Sequence, residues 1–280
     1  MRIGAPVYNW NDPESWALRH VERGWGAAYF PLNHAAPAAD IQAFADAAAR
    51  HGLVIAEIGV WNNQFDPDER KREANFEYAV NQLKLADAVG ARCCVNISGS
   101  LSSVWDGPHP GNITPETYER VVLNVQAIID AARPQRTFYT LEPMPWMYPH
   151  CAADLENLLR DVNRERFAVH ADMCNLVNAF DKVYHTGELT REFFGAFGPR
   201  IRVVHAKDTV LLDSLTTRVA EAIPGEGVFD YDALLTECAR LDPDLPVMAE
   251  HLSTEEEYRR ATDFIAGKAR ALGIAPVGGY

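Results

Sequence analysis

Arg166-Phe-Ala-Val-His-Ala-Asp172 is a short apolar run that closes on a carboxylate, and its pattern recurs three more times in the chain. Thr137-Phe-Tyr-Thr-Leu-Glu142 precedes it, and Ile201-Arg-Val-Val-His205 and Pro246-Val-Met-Ala-Glu250 follow it. Each run has the length and composition of a β-strand. Glu142, Asp172, His205 and Glu250 therefore stand at the C-terminal ends of four strands. Any one of them alone reads as a helix cap or a surface charge. Their repetition at one level changes the reading, because three carboxylates buried together are costly unless a cation neutralises them. Three carboxylates and an imidazole make a hard-cation set suited to Mn²⁺, Mg²⁺ or Co²⁺ rather than to a thiolate-bound structural zinc. One divalent ion is expected, Mn²⁺ first, with Zn²⁺ left open.

Outward from these runs, four more strands precede them: Arg2–Ala5, Ala27–Phe30, Val54–Gly59 and Cys93–Ile97. Amphipathic stretches lie between. Asp12-Pro13 and Asp66-Pro67 set a cap residue before a proline at the first helical position, and Thr114-Pro115 does the same before Tyr118–Ala132. Long helices are expected near Asp40–His51 and Pro67–Val89, and Ser253-Thr-Glu-Glu256 has the spacing of a capping box before the last helix. Eight strands alternating with helices predict an α/β fold, a single (β/α)₈ TIM barrel spanning residues 1–280. An open doubly wound sheet would bring a glycine-rich turn after its first strand, which this chain lacks. The connections 61–66, 98–113 and 207–228 are long, and in a barrel they would build a site on the C-terminal face.

The chain has 280 residues, is 48% hydrophobic and carries 26 basic against 39 acidic side chains, a net charge of −13. That balance disfavours a nucleic-acid partner, and Arg70-Lys-Arg72 reads as a solvated helix face. No apolar stretch is long enough for a membrane span, and Met1-Arg-Ile-Gly-Ala-Pro-Val-Tyr lacks the pattern of a signal peptide. A cytoplasmic protein with no membrane partner is expected. The five cysteines form no CxxC pair. Adjacent Cys93 and Cys94 point to opposite faces of one strand as core filler, and Cys174 is near enough to line the site.

Leu141-Glu-Pro143, Val169-His-Ala-Asp-Met-Cys-Asn175, Val204-His-Ala-Lys-Asp208, Pro224-Gly-Glu-Gly-Val-Phe-Asp230 and Ala249-Glu-His-Leu252 together resemble the xylose-isomerase-like family of sugar isomerases and epimerases, which shares its barrel with endonuclease IV. The resemblance runs over nearly the whole chain. It implies one divalent metal held by Glu142, Asp172, His205 and Glu250, with Glu142 and Glu250 as the catalytic acid/base pair. It also implies a small carbohydrate substrate and a homo-oligomer, a dimer or tetramer, although no interface is legible in the chain. Enediolate formation on a ketose, aldose or keto-sugar derivative is the expected chemistry: one carboxylate removes a proton beside a carbonyl and the other returns one.

The sequence also departs from the family pattern. Asn175 stands where epimerases usually carry a histidine three residues after the strand-six aspartate. Pro143–His150 replaces the usual Arg and second Glu, and no arginine follows His205 closely. These changes weaken a plain ketohexose 3-epimerase reading. They keep open a metal-dependent hydro-lyase or hydratase acting on a 3-keto sugar or related cyclic substrate. A nuclease would need a three-metal cluster with histidines on the early strands, which are absent. A sugar-binding protein without catalysis would have no need of four intact ligand positions.

Further pocket residues follow from alternation. Lys207 shares a side with His205, as either a substrate contact or an ion pair, and His170 shares a side with Asp172, as either a site or a core histidine. Glu57 and Trp61 are placed to hydrogen-bond and stack on a sugar, and Trp146 and Trp105 are similar candidates. Asn175 is a substrate-binding candidate, Asp208 is expected to orient a neighbour, and Glu226 is either at the mouth or a turn residue. No phosphate clamp is visible, which favours a neutral sugar, polyol or keto-sugar derivative.

Overall fold

The computed structural model describes Met1–Gly279. Among these residues, eight parallel strands close on themselves in the order β1-β10-β7-β6-β5-β4-β3-β2. The strands are β1 (Arg2–Gly4), β2 (Ala27–Tyr29), β3 (Val54–Gly59), β4 (Cys93–Asn96), β5 (Tyr139–Leu141), β6 (Phe167–Asp172), β7 (Ile201–Ala206) and β10 (Pro246–Ala249). They match the eight expected runs to within a residue or two at their ends. The outer ring consists of α1 (Pro13–Glu22), α2 (Ala38–Arg50), α3 (Glu69–Val89), α4 (Pro115–Ala132), α5 (Ala152–Val162), α6 (Thr186–Phe197), α7 (Tyr231–Leu241) and α8 (Glu255–Ala271). No described helix is long and apolar enough to cross a membrane.

Helix starts follow local capping chemistry and differ in places from the sequence expectation. Asp12 and Ser15 form a reciprocal capping box at α1, as Asp12-Pro13 predicts. Asp66-Pro67 does not start α3, because Asp68 accepts the free amides of Arg70 and Lys71 and the helix begins at Glu69. The capping box of α8 pairs Thr254 with Glu257, one residue beyond the expected Ser253 and Glu256. These are shifts in which side chain reaches the orphan N–H groups, not in the helices themselves.

Pleat alternation sorts the strand side chains into an interior layer and an outer layer that meets the helices. Ala27, Ala56, Cys93, Val95, Val203 and Met248 form the buried barrel interior, while Cys94 packs outward with Ile58 and Tyr139 against α3 and α4. Gly4 is required here: a Cβ on it would stand 2.4 Å from the Ala27 carbonyl oxygen and 2.6 Å from the Met248 sulfur. The opposite end of the barrel from the site is closed by the C-terminal segment, whose Val277 and Gly279 amides donate to the Met1 and Trp25 carbonyls.

The connection after β7 is not an irregular loop. Residues 208–222 form an antiparallel hairpin of β8 (Asp208–Leu211) and β9 (Val219–Ala222). The loops after β3 and β4 are stitched together by Asn63, which accepts from the Phe65 and Ser100 amides and donates to the Ser100 carbonyl. The 98–113 segment is tied further by Ser100 to the Gly107 carbonyl and by Asn112 to the Leu101 amide.

Candidate metal centre and active-site cavity

Strand register brings the four expected ligands to one level. Asp172 and His205 are paired neighbours on β6 and β7, Glu142 follows β5 and Glu250 follows β10. Their ligand atoms all lie within 4.8 Å of one another, so these residues can hold a single ion. Nδ1 of His205 is 2.8 Å from Glu250 Oε1, 3.5 Å from Glu142 Oε1 and 3.8 Å from Asp172 Oδ2. Asp172 Oδ2, His205 Nδ1 and Glu250 Oε1 are buried and form no hydrogen bond of good geometry, only ion-pair contacts. Three buried atoms of metal-ligating type that converge on one point, held only by ion-pair contacts to one another and to Lys207, fit a divalent cation.

The electrostatics agree. Burial pushes the Asp172 carboxyl up, and although Lys207 and His205 oppose this, its pKa reaches about 8. Burial and Glu250 also press Glu142 upward, but Lys207 and His205 outweigh them and hold it at about 2. Burial drives His205 down, yet Glu250, Glu57 and Glu142 raise its pKa well above the usual imidazole value. Lys207 and His205 offset two of the three carboxylates, and the third, Asp172, is left to a proton or a cation.

Lys207 is the nearest cation. Its ammonium lies 2.7 Å from Glu250 Oε1, 2.8 Å from Asp172 Oδ2 and 3.7 Å from Glu142 Oε1. It also donates to Asn175 Oδ1 at 3.3 Å. The lysine is thus an ion-pair partner of the site carboxylates. Asn175 holds the cluster from another side: its amide nitrogen donates to Glu142 Oε1 at 3.0 Å, and its backbone N–H to Asp172 Oδ1 at 2.9 Å.

Behind His205 sits Glu57, fully buried. Its Oε2 faces the Nε2 atoms of both His205 and His170, at 3.2 and 3.0 Å, and the two rings meet edge to face. An Nε2–H donated to Glu57 would leave Nδ1 of His205, once a cation displaces its proton, as the ligand atom toward the three carboxylates. His170 lies in the barrel interior below the cluster.

A cavity of about 400 Å³ opens over this floor. Glu142 and Glu250 line it, whereas Asp172 and His205 lie behind them. Its walls include Tyr29, Glu57, Trp61, Trp105, Asp106 and Tyr258. Trp61 adopts a positive φ of 45°, and its indole folds over Gly59, where a Cβ would stand 1.9 Å from Nε1. Trp146 is not in this wall. Its Nε1 donates to the Asp106 carbonyl at 2.7 Å, and it lines a neighbouring cavity together with Cys174 and Asn175.

Asp208 does not touch the cluster. It accepts the backbone N–H groups of Thr209, Gly225, Gly227 and Phe229, and so anchors the hairpin and the following loop. Glu226 is exposed and pairs with Arg260. Two site residues were not among the candidates that the sequence singled out. Glu221 on β9 lies 3.4 Å from the Lys207 ammonium and pairs with His251, which follows Glu250 in a left-handed conformation with φ 57° and lines the cavity. The sequence Ala249-Glu-His251 held the only clue to His251; Glu221 was hidden in what reads as a loop.

Residues 14–268 match the family model described as xylose isomerase-like TIM barrel. The chain belongs to this family. Structural likeness spans nearly all of the chain. Endonuclease IV from Thermus thermophilus superposes with a TM-score of 0.73 at 19% identity, covering 97% of this chain and 100% of that one. D-Psicose 3-epimerase from Clostridium cellulolyticum, with D-tagatose, gives 0.70 at 14% identity, covering 98% and 100%. A xylose isomerase-like TIM barrel protein from Mycobacterium smegmatis in complex with magnesium gives 0.64 at 19% identity, covering 94% and 90%. At such identities the likeness concerns the fold. No curated protein sequence matches the chain.

Proposed function

We propose that this protein is a divalent-metal-dependent isomerase or epimerase of a ketose, aldose or keto-sugar derivative. One observation carries the reading: of the four clustered ligand-type residues, only the carboxylates Glu142 and Glu250 face the cavity, and the other two stand behind them. Glu142, Asp172, His205 and Glu250 would hold the ion. When bound, it would polarise a carbonyl and its neighbouring hydroxyl and acidify the C–H between them. Mn²⁺ is our first choice, and the magnesium complex of a relative with the same fold is consistent with a hard cation.

The chain's own residues divide the remaining work. Glu142 and Glu250 reach the substrate from strands three apart around the barrel, so one can take a proton from the carbon while the other delivers one. Return to the same carbon on the opposite face inverts it, and return to the next carbon interconverts aldose and ketose. Asn175 and Lys207 fix the two carboxylates through Glu142 Oε1 and Glu250 Oε1. Glu57 orients His205. Trp61 and Trp105 offer faces against which a sugar ring can stack, and they narrow the access of water. No arginine or lysine lines the cavity over Glu142 and Glu250 among the described residues, which suits an uncharged sugar.

The test is product analysis with Mn²⁺-loaded protein on a panel of ketoses, aldoses and 3-keto glycosides. A rearranged sugar of unchanged mass supports the reading. A product lighter or heavier by one water assigns the site to a hydro-lyase instead, and an unchanged panel contradicts both.

A further inference from the structure

A second cavity, of about 560 Å³, adjoins the first and shares Asp106, Met144 and His251 with it. Its floor is Asn175, whose side-chain amide also holds Glu142 Oε1, so this cavity reaches the back of the same carboxylate that faces the first. Trp146 and Phe180, 39% and 61% exposed, flank it, and the Trp146 ring is fixed by its bond to the Asp106 carbonyl. The charged side chains on its lining are the Asp106 and Glu221 carboxylates and His251, with no lysine or arginine among the described residues. Open aromatic surface beside a polar reaction chamber is suited to an apolar group, and the carboxylates repel an anionic one.

We propose that the second cavity receives an apolar aglycone, so that the substrate is a keto-glycoside whose sugar ring, carrying the carbonyl, reacts in the first cavity while its substituent lies between Trp146 and Phe180. This deepens, and rests on, the isomerase or epimerase reading. A free monosaccharide would occupy the first chamber alone and leave the aromatic pair facing water. An aryl ring would bury its apolar area there and pin the sugar over Glu142 and Glu250, using binding away from the reacting carbon to orient it.

The experiment measures dissociation constants of the Mn²⁺-loaded protein for the methyl and 4-bromophenyl glycosides of D-glucose and D-galactose, which lack the ring carbonyl and so bind without turnover, and for the disaccharide cellobiose. The 4-bromophenyl compound of at least one sugar is expected to bind about tenfold more tightly than its methyl counterpart. Ala179→Trp and Ala220→Trp, which fill the second cavity from two different elements, are expected to bring that ratio to about one. In crystals, the anomalous signal of bromine should lie between Trp146 and Phe180. Equal affinities, a preference that survives both variants, cellobiose binding as tightly as the aryl glycoside, or binding of none of them overturns the aglycone site. If free ketoses are still rearranged in that event, the isomerase reading stands without it. If no sugar is rearranged while the aryl preference holds, the binding site stands and the reaction assignment fails.

Discussion

Glu57 and His205 form a fixed pair at the base of the site: Oε2 of the one lies 3.2 Å from Nε2 of the other, and this turns Nδ1 of the ring toward Glu142, Asp172 and Glu250. Outer carboxylates of this kind set the tautomer and orientation of a metal-binding imidazole. Glu57→Gln should therefore weaken Mn²⁺ affinity by about 10–100-fold while leaving the circular dichroism spectrum unchanged. Calorimetric titration with Mn²⁺ checks this. Wild-type affinity in the variant would show that Glu57 serves the cavity wall and not the ligand.

Metal loading should also stabilise the fold, because an ion bound by Glu142, Asp172, His205 and Glu250 binds the folded chain and not the unfolded one, and relieves the crowding of three buried carboxylates that share Lys207. At a free metal concentration 100 times the dissociation constant, the gain is about 2.7 kcal/mol. Denaturant unfolding with Mn²⁺ and with a chelator measures it. The gain should vanish in Asp172→Ala.

Asp208 ties the β8–β9 hairpin and the loop through residue 229 by four backbone N–H groups. Asp208→Ala leaves these donors without their acceptor and should cost about 3 kcal/mol. Limited proteolysis should locate new cleavage within residues 208–229. Cleavage elsewhere, or none, would contradict the anchoring role.

His20 supplies a pH dependence remote from the site. Burial lowers its pKa to about 4, against the opposing bond from its Nδ1 to the Trp16 carbonyl. The unfolded histidine, with a pKa near 6.5, binds a proton at pH values where the folded one does not. Stability from this group is thus fully present above pH 6.5 and is lost as the pH falls toward 4, by about 3 kcal/mol. His20→Phe removes the titration, so wild type should lose about that much more than the variant over this interval. Equal losses in acid denaturation would refute it.

The barrel was legible because its strands are continuous apolar runs, buried on both faces, and its helices carry cap residues at their starts. The four clustered residues were legible for the same reason: a polar group that ends such a run has nowhere to go but the barrel mouth. Alternation also placed Lys207 beside His205 and His170 below Asp172, although it could not say that Lys207 spends its charge on carboxylates. Glu221 was not legible. Val219-Ala-Glu-Ala222 is short and half-exposed, and its strand exists only by pairing with β8. Asp208 was read as orienting a neighbour, and its partners turn out to be backbone amides up to 21 residues away, which local pattern does not encode. The hydrogen bond that turns Trp146 toward a second cavity is likewise a tertiary contact.

The central claim is that Glu142 and Glu250 exchange protons with a carbon of the substrate. The most direct measurement follows solvent deuterium by NMR during turnover by Mn²⁺-loaded protein in D₂O, for the wild type and for Glu142→Gln and Glu250→Gln. The account predicts one deuterium at a carbon beside the carbonyl in the wild-type product, and rates lower by about 10²–10⁴-fold in both variants with metal still bound. A rearranged product that carries no solvent deuterium, or a metal-loaded variant as fast as the wild type, would contradict it.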